Sequence, residues 1–322
     1  MIVLWRITER CNLACSFCAY DRRLSGTRLE ADAATVKRFA KLLGTYRRAT
    51  GARVLLSWLG GEPLLWPPLF TLSQQLRDTY DLTLSATTNG TTLHRPEARA
   101  GILASFSELT VSVDGLSDFH DSVRGWPGGW DRLRSSVRLL VEERERAGIE
   151  LKLRVNVVLM RDNLAQFGSL CDELAQWGVN EITFNQLGGR DRPEFFPANA
   201  LRQQDVRALR AQLPALRETL NRRQVRLCGS ESYLQRLEYS AGHHPLPVAD
   251  CQPGEQMLFI DEAGQISPCS FTAAQYGVPL AAVDTLDDLL ALPQRFRRQR
   301  ARAVAAACSD CPSTHVFAKF AV

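Results

Sequence analysis

The stretch RVLLSWLGGEP, residues 53–63, runs an apolar segment straight into a glycine-rich acidic turn. From Arg53 to Leu59 there is little of the polar alternation that marks a half-exposed strand, so this strand should be covered on both faces. Similar units recur along the first two-thirds of the chain: IVLWRI (2–7), LTLSATTNGT (82–91), LTVSVDG (109–115), LKLRVNVVLM (151–160) and EITFNQL (181–187). Helical patterns lie between them. ADAATVKRFAKLLG places Val36, Phe39, Ala40 and Leu43 on one stripe and should stop at Gly44. PLFTLSQQLRDTY and RPEARAGILASF follow, the latter with Pro96 suited to a first turn. WDRLRSSVRLLVEERERAG turns Leu133, Val137, Leu140 and Val141 inward and closes at Gly148, and LAQFGSLCDELAQWG is the last helix of the series. Six alternating units predict an α/β fold, a partial (β/α)6 barrel of TIM type that is open at one side. In such barrels chemistry sits at the C-terminal ends of the strands. The polar stretches ERCNLACSFC, GGEP, TTNG, SVDG, RDN and NQLGGRD fall there.

The pattern changes after about residue 200. A charged helical segment (201–224) precedes a hairpin signal, MLFIDEAGQISPC, around Gly264, and a second helical segment follows it (285–307). This divides the chain into a barrel, 1–225, and a smaller domain, 226–322. With 322 residues, 45% hydrophobic and 23% charged, and a net charge of +4, the composition is globular and calls for no nucleic acid. The basic run RFRRQRAR (295–302) reads as a solvated helix face. No signal-peptide core and no run of 18 apolar residues is present, so a cytoplasmic protein without membrane contact is expected.

Nine cysteines in a reducing compartment are not expected to form disulfides. Seven cluster towards the two ends: Cys11, Cys15 and Cys18, then Cys251, Cys269, Cys308 and Cys311. Cys171 reads as a buried packing thiol. A closed zinc site takes four protein ligands, and the chain's five histidines lie away from the first loop. Thiolate ligation at this spacing favours an iron–sulfur cluster with one cysteine per iron. Three cysteines on a [4Fe–4S] cube leave one iron open to a small molecule.

Cys11-x3-Cys15-x2-Cys18, with Phe17 before the last cysteine, resembles the signature of the radical S-adenosylmethionine (radical SAM) superfamily. The resemblance implies that the open iron chelates the amino and carboxylate groups of S-adenosylmethionine. Reduction then yields methionine and a 5′-deoxyadenosyl radical that abstracts hydrogen. GGEP matches the family segment that contacts the cofactor's amino group: Gly60 and Gly61 for close backbone approach, Glu62 for charge. VSVDG and HDSVR resemble the segment after the fourth strand, which implies Ser112 at the ribose or methionyl carboxylate and Arg124 paired with that carboxylate. Asn89 and Asn156 reach the same rim by strand order, and Phe17 and Leu187 flank the adenine by the same analogy.

Cys251-x17-Cys269, the G-x-I-x-P-C hairpin and Cys308-x2-Cys311 resemble the family's twitch domain, the short form of its SPASM extension. An auxiliary, fully coordinated [4Fe–4S] cluster for electron transfer is implied; a zinc ribbon is the alternative. Relatives of this type oxidise or epimerise aminocyclitols and sugars, and SPASM relatives mature ribosomal peptides. A small-molecule substrate is the leading expectation, and a peptide the alternative. The first strand begins at residue 2, which argues against a fused peptide-recognition domain. A reductase such as flavodoxin or ferredoxin would be the partner. In the loop GGRDRPEFFPANALR, Asp191 and Glu194 are candidate proton acceptors, unless they are simply paired with Arg190 and Arg192. Phe195 and Phe196 pack on substrate or close the barrel mouth. Cys228 is a candidate hydrogen-atom donor, the role that would make the enzyme an epimerase. The reading from another class is a non-catalytic iron–sulfur or zinc protein.

Overall fold

In the computed structural model, which describes residues 1–322, the six expected strands form one parallel series. They are β1 (Ile2–Thr8), β2 (Leu55–Gly60), β3 (Thr83–Thr88), β4 (Glu108–Ser112), β5 (Lys152–Leu159) and β6 (Glu181–Gln186), each paired with the next. Helices α1 (Ala33–Thr50), α2 (Leu69–Tyr80), α3 (Pro96–Ser105), α4 (Ser117–Arg124), α5 (Gly129–Ala147), α6 (Arg161–Leu164) and α7 (Phe167–Gln176) alternate with them. Along β5 the residues Leu153, Val155, Val157 and Leu159 are buried in the same core as the apolar stripe of α5. Lys152, Arg154, Asn156 and Val158 are half-buried on the opposite, interior face. The barrel interior is therefore polar on this side, and the helix-facing layer is dry.

Two details differ from the sequence expectation. Helix α1 does not end at Gly44 but continues to Thr50 and closes on Gly51 in the left-handed conformation. Gly44 is instead a crossing point, where a Cβ would press on the Tyr80 side chain at the end of α2. The helix expected from residue 164 is broken into α6 and α7, with α7 starting at Phe167.

Helices α8 (Phe196–Asn199) and α9 (Gln203–Arg222) follow β6, and beyond residue 225 lie β7 (Arg226–Leu227), β8 (Met257–Ile260), β9 (Gln265–Ser267) and β10 (Val278–Pro279) with helices α10 (Glu231–Ala241), α11 (Ala273–Tyr276), α12 (Leu286–Arg302) and α13 (Ala306–Ser309). The hairpin forms as expected, β8 against β9. It also lies parallel to β1, from Ile2 opposite Met257 to Trp5 opposite Ile260, while β7 extends the other edge beside β6. One ten-stranded open sheet results, in the order β10-β9-β8-β1-β2-β3-β4-β5-β6-β7. Strand β1 would otherwise present an unpaired edge. Leu258, Ile260 and Ile266 share one core with Val3 and Trp5, so the sheet is continuous across the expected boundary at 225/226. No helix is long and apolar enough to cross a membrane.

Candidate active site

The cysteine loop leaves β1 at Thr8 and is pinned by backbone on two sides. Gly61 N–H donates to Thr8 O and Glu62 N–H to Arg10 O, both at 2.8 Å. A Cβ at Gly60 would collide with Thr8 O, and one at Gly61 with Arg10 O. The close approach that these glycines permit is thus to the cysteine loop itself. At the other side, Ala14 and Ser16 N–H donate to the last carbonyls of α4, Arg124 O and Val123 O.

Glu62 is buried and accepts three hydrogen bonds: Thr88 Oγ1 donates at 2.7 Å, Asn89 N–H at 2.6 Å and Leu64 N–H at 3.0 Å. Burial pushes this carboxyl up to about 7 in spite of those donors. Glu62, expected at the cofactor's ammonium, joins the turn after β2 to the end of β3. Asn89 continues the link, with Nδ2 donating to Asn12 Oδ1 at 3.0 Å and approaching Cys11 Sγ at 3.6 Å. Leu13 N–H also points at Cys11 Sγ (3.5 Å) and Tyr20 N–H at Cys18 Sγ (3.4 Å). Such N–H groups favour the thiolate form that a metal requires. Burial, opposed by the charge of Arg124, pushes the Cys15 thiol up to about 12.

Arg124 lies at the end of α4, buried, with its guanidinium on Asp114 (Nε to Oδ2 2.8 Å, Nη2 to Oδ2 2.7 Å). The other Asp114 oxygen accepts from Val158 N–H at 2.8 Å. Asn163 then ties the Asp114 and Val158 carbonyls together through Nδ2. Arg124 therefore has an internal partner that sequence reasoning missed, although Asp114 stands in the quoted VSVDG. The Phe17 ring lies 5.8 Å from the Arg124 guanidinium. Ser112, half-buried at the end of β4, is in register with Asn156. Asn156 sits on the interior face of β5 rather than at its end, and its Oδ1 accepts from Thr183 and from Lys319. Leu187 lies in a small apolar cluster with Val123 and Met160, against which Phe17, Phe195 and Phe196 pack.

Asp191 and Glu194 are exposed on the loop after β6, beside Arg190 and Arg192 respectively. The salt-bridged alternative describes them. Arg192 also pairs at 3.2 Å with Asp21, a buried residue of the cysteine loop, and Arg190 lies 4.8 Å from the Phe271 ring. One loop thus touches both cysteine regions. Cys228 is buried beside the first residues of β6, the strand end opposite the cysteine loop, and its thiol donates to Glu181 at 2.9 Å. Burial and that carboxylate push the thiol up to about 12. Arg154 and Arg226 hold Glu181 on its other sides. Cys171 is a buried packing thiol, as expected.

Cys251, Cys269, Cys308 and Cys311 line one cavity of about 280 Å³, together with Phe271, Tyr276 and Arg300. Local contacts aim them: Thr272 Oγ1 lies 3.3 Å from Cys269 Sγ, and Cys311 N–H donates to Leu246 O. Tyr276 OH accepts from Ala305 N–H and donates to Ala303 O, anchoring the chain before Cys308. No three His, Cys, Asp or Glu side chains converge on a point that one metal ion would fill. A four-iron cube places each thiolate on its own iron, so its ligands must ring a volume, and the second set does so.

The model of the Radical SAM superfamily matches residues 5–174, more than half of the chain and all of the cysteine loop. The chain belongs to the radical SAM superfamily. It is 28% identical over 199 residues to pre-heme d1 synthase of Dinoroseobacter shibae, covering 60% of this chain and 46% of that one. It is 23% identical over 291 residues to AdoMet-dependent heme synthase of Oleidesulfovibrio alaskensis (86% and 71%) and 25% identical over 321 residues to PqqA peptide cyclase of Streptomyces rochei (97% and 82%). Of several curated relatives the match spans only about half the length. Among solved structures, Streptococcus suis SuiB bound to S-adenosylmethionine aligns with a TM-score of 0.66 at 17% identity, over 97% of this chain and 72% of that one. The structure of anSMEcpe with bound AdoMet aligns with 0.68 at 15% identity, over 99% and 84%. These structures share the fold.

Proposed function

We propose that this chain is a radical SAM oxidoreductase with an auxiliary [4Fe–4S] cluster, acting at one carbon of a peptide substrate. Cys11, Cys15 and Cys18 would hold the first cluster, and Cys251, Cys269, Cys308 and Cys311 the second. When bound, the first cluster supplies the electron that cleaves S-adenosylmethionine to a hydrogen-abstracting radical, and the second an outlet for the electron left on the substrate. The remaining work belongs to side chains. Leu13 N–H, Tyr20 N–H and Asn89 support the thiolates. Glu62 and the Arg124–Asp114 pair lock the loop against β2, β3 and β4. Phe17 and Leu187 supply the apolar wall expected to flank the adenine. The observation that carries the reading is the pair of thiol sets in one sheet: three in a clamped loop within the family match, four around a cavity.

The peptide is preferred to an aminocyclitol because the similarity to PqqA peptide cyclase spans nearly the whole chain and most of that relative. The heme synthases support a second reading, a tetrapyrrole substrate. Oxidation is preferred to epimerisation because the buried Cys228 thiol is engaged in a hydrogen bond to Glu181. Anaerobic reconstitution with iron and sulfide, followed by reduction with S-adenosylmethionine, tests the reading. Formation of 5′-deoxyadenosine is expected; its absence, or stoichiometric zinc in place of iron, would favour a non-catalytic protein.

A further inference from the structure

Lysine is scarce here, four of the 39 basic residues counted as lysine or arginine. Lys37 and Lys41 are exposed, Lys152 is paired with Glu108, and Lys319 is buried. The segment that carries Lys319 follows the last auxiliary cysteine and is fastened to the chain after β7. Ser230 and Ser232 hydroxyls donate to Phe317 O, Gly229 N–H donates to Ala321 O, and the Arg154 guanidinium lies 4.8 Å from the Phe320 ring. This delivers the lysine into the barrel from its open side. Its Nζ donates to Asn156 Oδ1 at 2.7 Å and to Asn185 Oδ1 at 2.9 Å.

An ammonium carries three donors, and two amide oxygens take two of them. Both asparagines turn their oxygens to the lysine, and those oxygens also accept from Thr183 and from Tyr233 OH. The nearby carboxylate of Glu181 is engaged by Arg154, Arg226 and the Cys228 thiol. The lysine thus has amide dipoles for partners instead of a counter-charge. Burial of an ion without one is unfavourable, and here burial lowers the lysine's pKa to about 7. Asn156 stands in register with Ser112, so the ammonium lies at the level where the cofactor is expected.

We propose that Lys319, held by Asn156 and Asn185, is the anchoring cation of the substrate site inside the barrel, and that the substrate presents a carboxylate to it. A lone lysine with one free donor suits a monodentate carboxylate, whereas planar bidentate recognition would call for arginine. The inference rests on the proposed radical function for the meaning of the site, and it narrows the substrate to a peptide reacting beside an acidic group. The groups that face the lysine are Arg154 from β5, Glu181 from β6, Cys228 after β7 and Tyr233 from α10.

With so few lysines, labelling at the ε-carbon gives a spectrum that Lys319→Met assigns by the loss of one resonance. Reconstituted anaerobic protein is titrated with glutarate and, separately, with inorganic phosphate. Glutarate is expected to shift the Lys319 resonance saturably, to raise its titration midpoint from about 7 by about one unit, and to leave Lys37 in place. A Lys319 resonance that moves no more than that of Lys37, or that answers to phosphate alone, overturns the carboxylate site. The wild-type titration decides this even if the variant folds poorly. Formation of 5′-deoxyadenosine in the same preparation without probe reports on the radical reading by itself, so the two failures are distinguishable.

Discussion

The first cysteine set draws three thiols from one short loop, whereas the second gathers four from a stretch that runs from Cys251 to Cys311. The loop is gripped from outside, by Glu62 N–H on Arg10 O, by carbonyls at the end of α4 and beside the buried Arg124–Asp114 pair. The second set is shaped by the sheet edge at β8 and β9, by the chain before Cys308 and by the Arg236–Asp310 pair between its last two cysteines. This contrast fits their proposed roles. A cluster with a free corner needs a rigid frame to aim a small molecule. A fully coordinated cluster draws its rigidity from its own ligands.

The comparison breaks most easily at the thiols. Cys15→Ala is expected to abolish 5′-deoxyadenosine formation to the detection limit and to remove about four irons per chain. Cys308→Ala should also remove about four irons but leave cofactor cleavage within about tenfold, a 1.4 kcal/mol effect at most, while product formation is lost. Iron assay and product chromatography check both. Equal loss of cofactor cleavage in the two variants would erase the division of labour.

The frame is tested next. Asp114→Ala leaves the Arg124 guanidinium buried without its partner, and the expected cost is about 3–5 kcal/mol in denaturant unfolding. A loss below 1 kcal/mol would show that the clamp does not hold the loop. Gly61→Ala drives a methyl group into Arg10 O. A destabilisation of about 1–3 kcal/mol is expected, with weaker cluster retention on gel filtration and the second cluster unaffected.

Much of this frame was legible beforehand. The six barrel strands declare themselves through local apolar runs, and the cysteine spacing needs only eight residues. What escaped was long-range. Nothing within IVLWRI or MLFIDEAG says that β1 and β8 pair, because each alone is a plausible edge. Asp114 carried a faint signal, an acid directly after a strand and ten positions before a basic residue on a helix. Lys319 carried none beyond its rarity, since its partners Asn156 and Asn185 lie far back in the chain. For Asp191 and Glu194 the sequence left two readings open, and the arginines interleaved with these acids form the ion pairs that one of them expected.

The last effect is a pH dependence and concerns that lysine. Its folded pKa, about 7, lies below the unfolded value of 10.5, so between these limits the unfolded chain binds more protons. Stability should therefore rise with pH across that window and fall as pH drops towards 7. Thermal unfolding of Lys319→Met should lack this rise. An equal slope in both proteins would mean that the lysine is solvated and charged in the folded state.

The central claim is that the loop at Cys11, Cys15 and Cys18 leaves one iron for S-adenosylmethionine. Electron paramagnetic resonance of the anaerobically reduced protein, before and after adding S-adenosylmethionine, addresses it directly. The spectrum of one cluster is predicted to change on addition, and this response should vanish in Cys15→Ala but persist in Cys308→Ala. A wild-type spectrum indifferent to S-adenosylmethionine, or a protein that binds no iron at all, would contradict it.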